Sequence, residues 1–571
     1  MNVAPPAPSA APGTGAPARG AGLLERLMRD PNAIWMREMR QSARLARTPW
    51  ILFGLSLALA LLMCSIGGLA SAGQTTPAAI GGALFQVFFS LAYLVVVIVG
   101  PAVAANAIAS EREGRTWEAV LLTGLGPKDV ARGKFLAAYT TIALYIVMLA
   151  PAGALPFLFG GVTATEVVVA FGFLFLFAGL AVAFGLAVSS MMSSLRGALV
   201  VTLMLAIVVG PMLYFLFGFG ASFGVHKLWS EVPEAFPVWL PLAYSRGKLG
   251  LEYVLLLLAL PLLMLTTPAW FLYEVTVSNL SGQADDRSTR LKRWFLFCAV
   301  LIAIACAVPS AVADSDDARV GLSVLGLSAY ALFLAFSAFL FAGEPPGPSR
   351  RVSVHWERQG AGSWTRFLGP GLPKTAMLVT ALGFLCLWLV ASGDMALIAA
   401  FDGTPKRTKH LEEVFFFALY AASFFVFLAG LAAWLRSRGQ TPWVARMITA
   451  ALLFLIAAGP WVVAAIGGVV AHHGDDWLVI GAPSPFFAVY AMTWLESSHG
   501  GSDMPVVEVG ALCSLLWGMS GLALLGAATH RCRRSVRERE AAVAEAEAAL
   551  RAEEAERGGP DETAPCPTAP G

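Results

Sequence analysis

The 571-residue sequence predicts an all-α polytopic integral membrane protein of about 12 transmembrane helices. Three observations carry that expectation. Charged residues make up 13% of the chain and hydrophobic ones 57%, whereas a soluble domain carries roughly a quarter charged residues to cover its surface. Apolar runs long enough to cross the roughly 30 Å hydrocarbon core recur from end to end. These runs are continuous instead of alternating, and lipid leaves backbone groups unsatisfied unless each segment closes its own hydrogen bonds as a helix.

In chain order the runs lie near 50–70, 82–105, 135–157, 166–188, 197–217 and 251–273, then near 295–312, 321–342, 375–393, 414–435, 447–470 and 508–529. Basic residues orient them. With the N-terminus inside, the internal cytoplasmic loops hold 18 lysines and arginines, from Arg112 to Arg446. The external loops hold 7, among them Lys406, Arg407 and Lys409. That bias places both termini in the cytoplasm. Two external loops are long, about 218–250 and 471–507. His472, His473, Asp475 and Asp476 in the second read as a polar loop tip, because no further ligands stand at zinc-site spacing.

Residues 1–29 are rich in Pro, Ala and Gly and read as a disordered tail; they lack the charged start and apolar stretch of a secretory signal. A helix over 31–48 follows, with Asp30 at its N-cap and Pro31 at its first position. Arg37, Arg40, Arg44 and Arg47 share one face of it, and Trp35, Met39 and Ala46 lie on another. This pattern predicts a helix lying in the interface, with aromatic and thioether toward lipid. At the other end, 531–571 predicts a charged helix with the pairs Arg534–Glu538 and Glu547–Arg551, then disorder. The seven cysteines are scattered without a CxxC pair and read as small hydrophobes.

One polar passage interrupts the first spans: "SEREGRTWEAVLLTGLGPKDVARGKF", 110–135. Its first part predicts a short helix with Glu111 and Arg115 paired four apart and with Trp117, Val120 and Leu121 as its apolar side. Gly124 and Gly126 stop that helix, and Pro127 opens a second piece that runs into the third span. A rigid helix–turn–helix tied at both ends to spans is suited to passing movement between a soluble partner and the membrane body.

Together, "NAIWMREMRQSARLARTPW" and "SEREGRTWEAVLLTGLGPKDVARGKFLAA" resemble the membrane subunit of ABC transporters of the ABC-2 export type, over roughly 30–280. Arg37, Glu38 and Arg40 match the family's first element. Ser110, Glu111, Arg112, Glu113, Thr116, Glu118, Leu121, Leu122, Gly133 and Lys134 match its loop, in which Gly124 replaces the usual proline. The resemblance implies a six-helix ABC-2 permease-like domain over 30–280, with a coupling element at 110–134. It implies work in pairs, as a homodimer or with a second permease, in the lipid of a bacterial-type inner membrane. It also implies a cytoplasmic ABC ATPase subunit that carries the ATP and Mg. The implied coupling interface is Arg37, Glu38, Arg40, Glu111, Arg112, Glu113, Arg115, Trp117, Glu118 and Lys134.

The chain itself has no phosphate cradle. The "GK" at 133–134 is followed by Phe135 and lacks GxxxxGK[ST] spacing, so no catalysis, bound cofactor or metal is expected of it, and no nucleic-acid partner. The block 281–530 shows no convincing copy of either motif; it reads as a diverged repeat or an accessory block, and the missing second contact loop favours the latter. Two other functional readings stay open: a non-transporting membrane anchor or signalling component, and a twelve-helix secondary carrier. Asn106, Glu252, Glu274, Asp394 and Glu508 fall near span ends, and the lack of a carboxylate at a span centre speaks against an ion-coupled carrier. The sequence does not indicate a cargo.

Overall fold

The computed structural model describes residues 32–43, 47–72, 76–216, 241–247, 249–282, 285–313, 315–360, 362–471, 476–497 and 506–557. Every regular element among them is helical. The first are α1 (Ala33–Ala43), α2 (Arg47–Ala72), α3 (Pro77–Glu113), α4 (Trp117–Leu122), α5 (Pro127–Gly153), α6 (Leu155–Phe159), α7 (Ala164–Met191), α8 (Leu195–Phe215) and α9 (Pro241–Arg246). A π-helical stretch, Tyr253–Ala259, leads into α10 (Leu260–Leu280). There follow α11 (Thr289–Ala311), α12 (Asp316–Phe341), α13 (Arg350–Arg358), α14 (Ser363–Leu368), α15 (Leu372–Phe401), α16 (Arg407–Ser437) and α17 (Pro442–Ala471). A 3₁₀ turn, Asp476–Gly481, then precedes α18 (Phe487–Ser497) and α19 (Val506–Arg557).

Eleven helices among the described residues are long and apolar enough to cross a membrane, and α2, 26 residues long, covers the first expected span. The chain is a polytopic, helical integral membrane protein. The tails expected at 1–29 and after the C-terminal helix, most of the two long loops, and His472, His473 and Asp475 lie outside the described residues.

The chain divides into two compact units, Met1–Arg246 and Gly247–Gly571. In the first, α3 is the hub, packed by α7, α8 and α5. Lipid is as apolar as leucine, so helices associate where small residues let backbones approach. Gly185 on α7 is such a place: a Cβ there would stand 2.8 Å from the Cβ of Ala104 on α3 and closer still to the Pro101 carbonyl. In the second unit the hub is α16, packed by α19, α15 and α12. Here Gly430 faces Gly521, and a Cβ on Gly521 would meet the Phe427 amide nitrogen at 2.5 Å. Phe427 and Trp517 pack beside that crossing with ring centroids 4.3 Å apart.

With α1 and with the Tyr253–Leu280 span set aside, the two units follow one order of elements. In the first, a span hairpin (α2, α3) leads through a short helix (α4) to three spans on short connections (α5–α6, α7, α8). A long connection with its own short helix, α9, comes next. In the second, the hairpin α11–α12 leads through α13 and α14 to α15, α16 and α17; a long connection bearing α18 then precedes α19. The short helices of the long connections also pack alike, α9 on α7 and α18 on α16, the middle span of each set of three.

Candidate functional site

The polar passage at 110–135 is built differently from its expected two short helices. Ser110–Glu113 continue α3, which ends there, and Gly114 and Arg115 turn the chain out of the helix. Arg115 takes a left-handed φ of 55°, a conformation that costs a side-chain-bearing residue energy. The expected Glu111–Arg115 pair is therefore not made: the helix that would align them ends first. The next helix, α4, has six residues, and the turn after it uses Gly124 at φ 73°. Pro127 opens α5, as its position predicts.

Glu111 finds other partners. Its Oε1 lies 2.5 Å from Arg37 and 2.7 Å from Lys134 Nζ. Glu38 Oε1 lies 2.9 Å from each of the same two cations. Arg37, Glu38, Lys134 and Glu111 thus close a ring of alternating charge that joins α1, the end of α3 and the start of α5. Lys134 is 1% exposed, and its Nζ also donates to the Ala107 carbonyl at 2.8 Å. Its three ammonium protons have three acceptors. Burial pushes the Glu38 carboxyl up, but Lys134 and then Arg37 outweigh it and hold the group below its usual range. The bond to Glu38, with Glu111 adding to it, raises Arg37 against the opposing effect of burial.

The seat of α1 explains why Arg37 and Glu38 arrive there. Asn32 Oδ1 accepts from the amides of Ile34 at 3.0 Å and Trp35 at 3.3 Å, and its Nδ2 donates to the Asp129 carbonyl at 2.9 Å. The N-cap is therefore Asn32, not Asp30, which with Pro31 lies outside the described residues. Gly133 on α5 makes room: a Cβ on it would stand 2.7 Å from the Ile34 Cβ and closer still to Asn32 Oδ1. Trp35, read from its helical face as turned to lipid, is half-buried and meets α5 through its indole N–H. Its Nε1 donates to Thr140 Oγ1 on α5 at 3.3 Å, because an indole N–H in apolar surroundings seeks an acceptor. The side chains of Arg44, Ala46 and Arg47 lie outside the described residues.

Arg112 and Glu113 tie the end of α3 to its neighbours by matching charge to helix end. Arg112 donates to the carbonyls of Ser190 at 2.8 Å and Met192 at 3.3 Å, at the C-terminus of α7. Its guanidinium also lies over the Trp117 ring, 5.7 Å from the centroid. Glu113 accepts from the Leu195 amide, the first of α8, at 2.7 Å. Val120 of α4 is buried, Trp117 half-buried, and Arg40, Arg115 and Glu118 are exposed. Leu122 is 88% exposed. The side chain of Leu121 lies outside the described residues.

Sequence reasoning missed three residues of this site. Asn32 carried a signal, an Asn directly before the helix, that the neighbouring Asp30–Pro31 pair obscured. Thr140 and Ser189 carried none. Ser189 on α7 accepts from the Ala109 amide at 2.9 Å and donates to the Ala105 carbonyl at 2.6 Å, reaching into the hydrogen-bond ladder of α3.

A second buried charge cluster, also unforeseen, belongs to the second unit. Lys292, fully buried, donates to the Gly369 carbonyl at 2.6 Å and lies 3.7 Å from Glu344 Oε1. Burial raises Glu344, and Lys292 opposes that shift. Arg436 donates to the Glu344 carbonyl at 3.0 Å. Set beside models of known protein families and beside curated proteins, the chain matches none.

Proposed function

We propose that the chain is the membrane-spanning permease subunit of an ATP-driven export system, powered by a separate cytoplasmic ABC-type ATPase. On this reading both termini and α4 face the cytoplasm of a cell of bacterial type. The observation that carries it is the four-charge ring. α4 is the exposed piece between α3 and α5, and the ring links the ends of those two helices to α1 through Lys134, Glu111, Arg37 and Glu38. A push on α4 is shared by three elements at once, which a slack loop would absorb. Leu122 and Glu118, exposed on α4, offer an apolar tip and an acid to the moving partner. The resemblance of roughly 30–280 to the ABC-2 family supports the same assignment, since all four ring residues are among those that match its motifs.

The chain lacks a phosphate cradle, so hydrolysis belongs to the partner. Closure of two ATPase copies on ATP would displace α4, α1 and the adjoining ends of α3 and α5 as one body, and the spans would switch access. The repeated order of elements over 289–557 supports reading 281–530 as a diverged second permease set, with α13 and α14 in the place of α4.

The test is purification of the tagged chain from native membranes, identification of co-purifying proteins and an ATPase assay. A Walker-motif ATPase should accompany the wild type. The double substitution Glu118→Lys with Leu122→Asp should shed it while thermal unfolding of the chain stays unchanged. Purification without any ATPase overturns the proposal.

A further inference from the structure

Asp394 departs from its sequence reading as a residue at a wet span end. The apolar residues Met395–Phe401 extend α15 past the expected end, so Asp394 lies seven positions inside the helix and is 0% exposed. Its Oδ1 stands 2.5 Å from Ser310 Oγ on α11. The same Ser310 oxygen stands 2.8 Å from the Ala307 carbonyl. A hydroxyl has one proton to give, and a carbonyl oxygen has none. Both contacts are hydrogen bonds at once when Ser310 donates to Ala307 and the carboxyl of Asp394 donates to Ser310.

The surroundings favour the same proton. Asp394 Oδ2 and Ser323 Oγ on α12 are both buried and neither makes a hydrogen bond of ordinary geometry, although Ser323 neighbours the carboxyl. Cys306 faces it from α11. At this end of the bundle, Arg319 of α12 is held by Asp316 at 2.9 Å and by the Ala313 carbonyl at 2.8 Å. Asp402, just past α15, and His410 of α16 hold each other at 2.7 Å, and Glu413 of α16 is also buried. None of the cations among the described residues forms an ion pair with Asp394. An ionised carboxylate shut into such a bundle without a cation is far costlier than the neutral carboxylic acid.

We propose that Asp394, with Ser310 and Ser323, forms a proton-binding site inside the membrane body of the second unit. The packed helices hold Asp394 as a carboxylic acid. When the α11–α15 contact opens to water, the O–H bond breaks, its electron pair stays on the carboxylate and the proton passes to a water molecule. A conformational cycle that opens this contact is thereby linked to proton release. The proposal stands apart from the ATPase-driven reading, because it needs neither α4 nor a soluble partner.

Infrared spectroscopy of the purified full chain tests it directly. At neutral pH the wild type should show a carboxylic-acid C=O band from an apolar site, with the small shift that exchange into heavy water gives a protonated acid. Asp394→Asn should remove that band, and Asp394→Glu should move it, which keeps the test open if the Asn variant fails to fold. Ser310→Ala should shift the band by deleting its hydrogen-bond partner. A wild-type spectrum from which Asp394→Asn and Asp394→Glu subtract no acid band would mean an ionised Asp394 and overturn the proposal.

Discussion

Lys134 decides the energetics of the site. It is buried, and its protons go to Glu38, Glu111 and Ala107, so Lys134→Met leaves two carboxylates leaning on Arg37 alone. Breaking a buried pair in this way costs about 3–5 kcal/mol, read as a marked fall in thermal stability in detergent. Lys134→Arg should not restore it, since a planar guanidinium cannot reproduce three diverging bonds. Arg37, with half of its side chain exposed, should matter less: Arg37→Ala is expected to cost about 0–1 kcal/mol. Glu38 adds a pH dependence. Its carboxyl is held below the usual range, so its contribution is complete above the ordinary carboxylate pKa of roughly 4 and is lost as the pH falls through its lower folded value. Acid unfolding of Glu38→Gln should lack that part of the loss, seen as a smaller drop in melting temperature between neutral and acid pH. The sequence named all four ring members, yet paired Glu111 with Arg115. Spacing rules assume that the helix continues, Gly114 ends it, and partners such as Arg37 are invisible to any local pattern.

At the scale of elements, the seat of α1 rests on the missing side chain of Gly133. Gly133→Val should lift α1 from α5, because both obstacles, Ile34 Cβ and the capping Asn32, are fixed close to backbone. Trp35 would lose its Thr140 partner, and its fluorescence should shift to the red as the ring meets water or headgroups. Trp35→Phe, which deletes that hydrogen bond alone, should cost about 1 kcal/mol. Helical periodicity set Trp35 and Met39, both half-buried, apart from Arg37 and Arg40, both exposed, but it could not say that Trp35 meets a neighbouring helix. Helix ends were misjudged for a related reason: an apolar run marks where lipid is, not where hydrogen bonding stops. α15 runs on through Phe401. α19 runs unbroken from Val506 to Arg557, with no Gly or Pro between Ala527 and Arg557 to interrupt it, a length of about 78 Å at 1.5 Å per residue. The sequence had read it as a span followed by a charged helix. The charged part has its expected Arg534–Glu538 bond at 2.7 Å, and it is braced by an ion pair between Glu547 and Arg350 and by Val536 packed against Gly347.

At the scale of the whole molecule, every expected span coincides with a helix, because length and hydropathy are what the bilayer selects. The division into halves was less legible. Contacts assign Tyr253–Leu280, counted by sequence with the first six spans, to the second unit, where α10 packs on α11. A shared order of elements is hard to read in sequence for a physical reason: lipid constrains a span only to be apolar and of a certain length, so stretches with different side chains can carry the same order of hairpins, short helices and long connections. If 281–530 is a second permease set, one chain supplies both members of the pair that the ABC-2 resemblance requires. Native mass spectrometry of the complex should then find one copy of this chain with two ATPase copies. The second contact for the ATPase should lie on α13 and α14, where Trp364 is 71% exposed. A photocrosslinker placed at position 364 should capture the same ATPase as one placed at 122. Two copies of the chain per complex, with capture at 122 alone, would instead mark the second block as an accessory, because a set that contributes no contact to the motor cannot be driven by it.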